Sequence, residues 1–510
     1  MDILAFALYF AAMIAVGLVF FFRSKATTEK DYFLGGRAMG PWVTAMSAQA
    51  SDMSAWLLMG LPGSVLAFGF GQAWIGIGLA IGTAANWILV AKRLRKFSKA
   101  SGDAITLPQY LSNRFASKSH LVSIICAVVF LVCFTIYVAS AFVAGADVFT
   151  TLVPSLSSSA AMLIFAAIVI AYTFLGGFNA VCWTDFFQGL LMLGALLTVP
   201  VVVGFTRALE PAALATVYKG PNGEEFRFVA SFLNASWQDV LSGLGWGLGY
   251  FGMPHIIVRF MAIEKPSMVK KSATVAIIWV ILSLGAAIVI AYLGRMFVYS
   301  DGVDLSAALL GEGKQSLVFV ELAKDVFPKF IAGLLLAAII AASMSTADSQ
   351  LLVAASSFAS DLYRPIIRKN ASNKEMMWVS RIVVMVIALV AYFIASSKGK
   401  AAQAIMDLVS NAWGIFGAAF GPVVLLSLFW RRFTYKGAVA GIVVGALVDM
   451  LWLWLPVAGS TLTAITGVYE IIPGFALSGI VAVVVTLLDK KPSLEVEEIF
   501  AKATDNSIDD

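Results

Sequence analysis

Residues Gly243-Leu-Gly-Trp-Gly-Leu-Gly-Tyr-Phe-Gly-Met-Pro254 break an otherwise apolar run. Glycine at alternate positions from Gly243 to Gly249 disfavours a helix. Pro254 then removes a backbone donor. The run around it, about 236–260, is long enough to cross a bilayer. Irregular backbone at that depth is tolerated only where it is buried or lines a cavity.

A second apolar run, about 41–68, is also interrupted, by Gln49, Ser51, Asp52 and Ser54. Counting outward from these two gives thirteen apolar spans: about 3–22, 41–68, 72–95, 122–147, 159–177, 183–206, 236–260, 272–298, 328–358, 377–396, 402–429, 436–455 and 471–489. The two broken spans are the second and the seventh. A five-span offset reverses membrane direction, so spans two to six and seven to eleven form an inverted repeat. Paired broken helices at matching positions of two halves point to a transporter's central site. A single break would read as a packing kink.

Composition agrees. Of 510 residues, 60% are hydrophobic and 13% charged, against roughly 25% charged in a soluble domain. Short alternating segments of a transmembrane barrel are missing. The net charge of +5 includes no aromatic-interleaved basic patch, so nucleic acid is excluded as a partner and the lipid bilayer expected. Cys126, Cys133 and Cys182 read as small packing residues. No cleavable signal pattern precedes the first span, which is long enough to remain as a helix. With the N-terminus outside, inside segments hold 25 Lys and Arg and outside segments 8. The expected orientation is therefore N-terminus outside and C-terminus cytoplasmic, in a multi-pass inner-membrane protein. The acidic end, Asp505–Asp510, would be a solvated cytoplasmic tail.

Several residues within the spans can carry chemistry. Asp52 is a carboxylate at membrane depth, and such groups are costly and often functional. It would equally serve to tie up donors freed by the break. The unwound stretch also frees carbonyls, which hard cations accept as ligands. The ninth span supplies Ser343, Ser345, Thr346, Asp348 and Ser349, with Ser345, Asp348 and Ser349 on one face. These hydroxyls can also bond their own helix carbonyls. Beside a broken helix the cluster reads as half of a cation site. Asp185 opens the sixth span and reads first as a helix cap, with an inner cation path as the alternative. Trp56, Tyr137, Trp246 and Tyr250 lie too deep for interfacial anchors, and an aromatic box for a small solute is assigned chiefly to Trp246 and Tyr250. The glycine spacings lack the strand and lysine of nucleotide loops. With two histidines in the chain, a His-based metal site is not expected. No enzyme motif is present.

At these residues the chain resembles the sodium/solute symporter family, and within it the sodium/proline symporters. The resemblance covers nearly the whole chain. Its marks are Asp31-Tyr-Phe-Leu-Gly-Gly-Arg37, Ala50-Ser-Asp-Met-Ser-Ala-Trp56, Gly247-Leu-Gly-Tyr-Phe-Gly-Met-Pro-His255, Met344-Ser-Thr-Ala-Asp-Ser-Gln350, Phe416-Gly-Ala-Ala-Phe-Gly-Pro422 and Tyr469-Glu-Ile-Ile-Pro-Gly-Phe475.

It implies an all-α LeuT-type core of ten helices with one extra helix before and two after. The expected organisation is an N-terminal helix and cytoplasmic loop (1–40), a first inverted repeat (41–206), an extracellular loop (207–235), a second repeat (236–429), two C-terminal helices (430–489) and a cytoplasmic tail (490–510). It further implies a sodium site of the Ala50, Met53 and Ala342 carbonyls with the Ser345 and Thr346 hydroxyls. Asp52, Arg37, Asp185 and Asp348 would serve sodium coupling. Ser54, Trp56, Tyr137, Trp246, Tyr250, Met253 and Pro254 would line the solute pocket. Sodium would be the coupling ion, with no other cofactor. The family's proline carriers have Gly where this chain has Ala55, and Gln where it has Met253. The expected activity is sodium-coupled uptake of L-proline. A different small amino acid or carboxylate is the alternative, followed by a membrane sensor or channel.

Overall fold

The computed structural model describes residues 2–23, 28–175, 177–397, 403–457 and 459–505. Each apolar run becomes a helix or a pair of half-helices. Helix α1 spans Asp2–Arg23; the broken second run gives α2 (Pro41–Asp52) and α3 (Leu61–Phe68). Then come α4 (Phe70–Ala85), α5 (Leu121–Leu152), α6 (Ser158–Leu175) and α7 (Phe178–Thr206). The broken seventh run gives α8 (Trp237–Gly245) and α9 (Pro254–Ala262). After it follow α10 (Val269–Met296), α11 (Lys329–Ser357), α12 (Asn373–Ser397), α13 (Gln403–Phe429), α14 (Tyr435–Trp454), α15 (Ile471–Leu488) and α16 (Leu494–Thr504). Among the described residues, nine helices are long and apolar enough to cross a membrane. Shorter apolar helices lie at Ile3–Val19, Trp56–Phe68 and Ser158–Ala171.

Local chemistry sets the breaks. Ser236 and Asp239 cap the start of α8 reciprocally, satisfying two free backbone donors. The chain tightens to a 3-10 turn over Trp246–Phe251 and leaves helical geometry at Met253 (φ −79°, ψ 107°). Pro254 restarts the helix in the first turn, where a missing N–H costs nothing. The first break is as short: α2 ends at Asp52, and Met53 (φ −83°, ψ 73°) carries the unwound step.

The glycine run is α-helical as far as Gly245, although alternate glycines disfavour a helix, and it tightens beyond that point. A side chain at Gly247 would collide with the Gly78 carbonyl, and one at Gly249 with the Trp413 indole. These glycines supply close helix approach more than backbone freedom, as small residues do at membrane helix interfaces.

Helix α11 is the axis of the fold. Every residue from Leu335 to Ser357 is buried, and it packs on α1, α2, α5 and α7. Helices α14 and α15 pair and lean on α13. The segment after 490 includes α16, which sets Phe500 edge-on to Phe97 (5.3 Å) and pairs Glu497 with Arg431 (2.6 Å). Of the acidic end, residues 506–510 lie outside the described residues.

Candidate functional site

The two breaks meet α11 at the centre of the molecule. Ser345 Oγ donates to the Ala50 carbonyl of α2 at 2.8 Å and lies 3.1 Å from the Ala342 carbonyl. Both readings of this hydroxyl therefore hold: it bonds its own helix and reaches across to the break. Thr346 Oγ1 is buried without a partner, and Met53 is buried at the break itself. Two of the expected carbonyl ligands thus lie within hydrogen-bond distance of the Ser345 hydroxyl. Carbonyl and hydroxyl oxygens without a full charge suit a weakly held monovalent cation.

Beside them, Tyr250 Oη donates to Asp52 Oδ2 at 2.5 Å, while Oδ1 has no partner. His255 Nε2 lies 3.1 Å from the Ser51 carbonyl, so the second broken helix holds the first at two points. Ser54 and Trp56 are buried beyond the break. Tyr137 faces both of them and stands edge-on to His255, with ring centroids 6.4 Å apart.

An aromatic column closes the other side. Trp246 stacks on Tyr469 (5.0 Å, 28°) and lies 6.4 Å from both Trp56 and Trp413. Trp413 Nε1 donates to the Trp246 carbonyl at 2.8 Å, and its ring meets Tyr250 edge-on at 5.1 Å. A cavity of about 490 Å³ reaches Trp246 past Asp239, Asp407, Ser410 and Tyr469. Met253 is fully buried at the break, which rules out a lipid-facing position. Pro254 follows it as the first residue of α9.

Asp185 is not a cap. Helix α7 begins at Phe178, before the expected start near 183, and Asp185 is buried inside it. Its carboxylate accepts from Ser47 Oγ at 2.7 Å and pairs with Arg259 at 3.2 Å. Asp348 accepts from Ser349 Oγ at 3.3 Å. Arg37 lies apart from all these groups. It is buried against Asp103 (2.8 Å), Ser98 (3.1 Å), and the carbonyls of Ala104 and Met261. Arg95 adds bonds to the Ile263 and Glu264 carbonyls at 2.6 and 2.9 Å. Both arginines hold the C-terminal end of α9, where the helix dipole favours cations.

A family model for the sodium:solute symporter family matches residues 32–445. The chain belongs to that family. As a symporter it is a multi-pass membrane transporter and not an enzyme. A sodium/proline symporter of Escherichia coli (strain K12) is 43% identical over 98% of this chain and 96% of its own length. A high-affinity proline transporter of Bacillus subtilis (strain 168), PutP, is 41% identical over 95% and 98%. The solved outward-open, substrate-bound structure of a Na+-coupled sialic acid symporter superposes with a TM-score of 0.72. It shares 20% identity and covers 96% of this chain and 98% of that one. Mhp1, a nucleobase-cation-symport-1 family transporter solved in a closed conformation, gives 0.55 at 14% identity, over 92% and 97%. These structures share the fold, the LeuT-type inverted repeat.

Sequence reasoning missed Trp413, Ser47 and Arg259, and quoted Tyr469 only as a family mark. Trp413 and Ser47 sit in apolar runs with no local signal. Arg259 closes the seventh run and falls among the 25 inside cations of the charge count, yet it is 1% exposed within α9. Loop counting assumes that every terminal cation is solvated, and this one is not.

Proposed function

We propose that this symporter takes up L-proline with sodium by alternating access. It would lie in the plasma (inner) membrane with thirteen crossings, N-terminus outside and C-terminus cytoplasmic, and the repeats at 41–206 and 236–429. Sodium is held by the Ala50, Met53 and Ala342 carbonyls with Ser345 and Thr346. The observation that carries this reading is the 2.8 Å contact of Ser345 with the Ala50 carbonyl, which joins the buried central helix to the break. Names of the curated relatives supply proline as the solute. Free donors at the break meet its carboxylate, as half-helix ends do in such carriers. Trp246 and Tyr250 cover its ring, with Tyr137, Ser54 and Trp56 alongside. The cavity at Trp246 is then the outer vestibule, and the Arg37 and Arg95 contacts close the inner side.

The test is uptake of radiolabelled solutes into proteoliposomes, with and without a sodium gradient. Sodium-driven L-proline uptake is expected, with L-proline competing best among small amino acids. Equal uptake in choline buffer at fixed membrane potential would refute it. A second reading, another small amino acid or carboxylate, is favoured by Met253. It is an adaptable apolar side chain, buried at the break where related carriers have Gln. Under that reading Met253→Gln shifts preference toward proline.

A further inference from the structure

Arg259 is a charge sealed into the membrane half of the molecule away from the vestibule. Its Nε donates to Ser47 Oγ at 3.0 Å. Its Nη2 donates to Ser349 Oγ at 2.5 Å and pairs with Asp185 Oδ2 at 3.2 Å. Its Nη1 donates to the His255 carbonyl at 2.5 Å, and the Phe178 ring lies 5.5 Å from the guanidinium. One side chain thus ties α2, α7 and α11 to its own helix, α9. Every polar partner is buried.

The position is what gives this knot a role. Ser47 precedes Ala50 by three residues on α2, and Ser349 follows Ser345 by four on α11. At 1.5 Å rise per residue the knot lies about one turn, roughly 5 Å, from the candidate ion site. It lies on the side opposite Trp246 and the vestibule, because α8 leads from the vestibule and α9 leads on to Arg259. The charges do not balance locally: Asp185 and Asp348 face one guanidinium. Asp185 Oδ1, Asp348 Oδ2 and Gln188 Oε1 are all buried without a partner. An ion leaving its site toward the Arg37 side enters a carboxylate cluster whose cation position is already filled. The guanidinium is tethered to α9 and cannot diffuse away, so it must swing aside.

We propose that Arg259 is a tethered cation plugging the inner ion route. It neutralises Asp185 while the route is shut and must swing off that carboxylate for the ion to pass. The inference rests on the transport reading for the identity of the ion, sodium.

The test is binding of radioactive sodium to the purified full-length protein, paired with net solute uptake in proteoliposomes. Arg259→Gln leaves two buried carboxylates without a counter-ion, so sodium should be trapped there. Half-saturating sodium is expected to fall several-fold and net uptake to fall at least tenfold. Adding Asp185→Asn to that variant should return half-saturation toward the wild-type value. A merely structural Arg259 would leave sodium affinity unchanged or weaken it, and either result in Arg259→Gln would overturn the proposal. If Arg259→Gln does not insert, Asp185→Asn alone reads the same balance: it leaves Arg259 facing Asp348 alone and removes the excess negative charge, so half-saturating sodium should rise several-fold. No change there would also overturn it. Wild-type protein that binds no sodium would refute the transport reading itself.

Discussion

Tyr250 and Asp52, 198 residues apart in the chain, share a buried 2.5 Å hydrogen bond that joins the two broken helices. Asp52 Oδ1 has no other donor, so the phenol is the carboxylate's only side-chain partner among the described residues. Tyr250→Phe keeps the ring and removes this bond. Losing a hydrogen bond to a charged group costs about 1.5–3 kcal/mol, about tenfold or more in affinity. Solute binding at saturating sodium should weaken by that factor, and an unchanged affinity would show that the bond does not shape the pocket.

Ser345→Ala and Thr346→Ala should raise the sodium concentration for half-maximal uptake. The same bond energy again sets about a tenfold shift. Solute affinity at saturating sodium should change less, because Ser345 bonds the Ala50 break and not the aromatic column, and Thr346 is its neighbour in the chain. A sodium titration of each variant separates the two effects.

Gly249→Ala drives a methyl group into the Trp413 indole, whereas one at Gly285 meets nothing within 4 Å. Overpacking costs about 1–3 kcal/mol. Thermal unfolding in detergent should show Gly249→Ala destabilised and Gly285→Ala unaffected.

Topology is best tested at Lys118, because Ser101 in the same segment is buried. Native Cys126, Cys133 and Cys182 are buried too, so a new thiol would be read against a quiet background. Lys118→Cys should resist an impermeant thiol reagent in intact cells, and Asn222→Cys should react. The reverse pattern would invert the orientation.

Beside Arg37, burial alone would raise the Asp103 carboxyl, but Lys30 and Arg37 outweigh it and hold it below the ordinary 3.8. A carboxylate depressed by folding stabilises at pH above its unfolded value, and that contribution fades as pH falls through the folded one. The side chain is 40% exposed, so screening keeps the term at about 1 kcal/mol or less. The stability difference between wild type and Asp103→Asn should be constant from about pH 8 to 5 and shrink below about pH 4. A difference growing toward acid would contradict the pairing.

The helical apolar runs, the two breaks and the family were legible in the sequence. Each is a property of one stretch of chain: apolar length, a proline or a glycine, a charge within an apolar run. The pairing of Ser345 with Ala50 came from the family resemblance and not from any local pattern. What only the tertiary structure decided is how side chains from distant spans meet. Local pattern reported the glycine run as broken helix, yet its glycines make room for Gly78 and Trp413. It read Asp185 as a cap and Arg259 as a loop cation, and packing buried both against each other. Tyr469 reaches Trp246 from the loop before α15, outside the ten-helix core. Hydrophobic periodicity records that a residue is buried and not against what. Partners 74 to 295 residues away leave no mark on it.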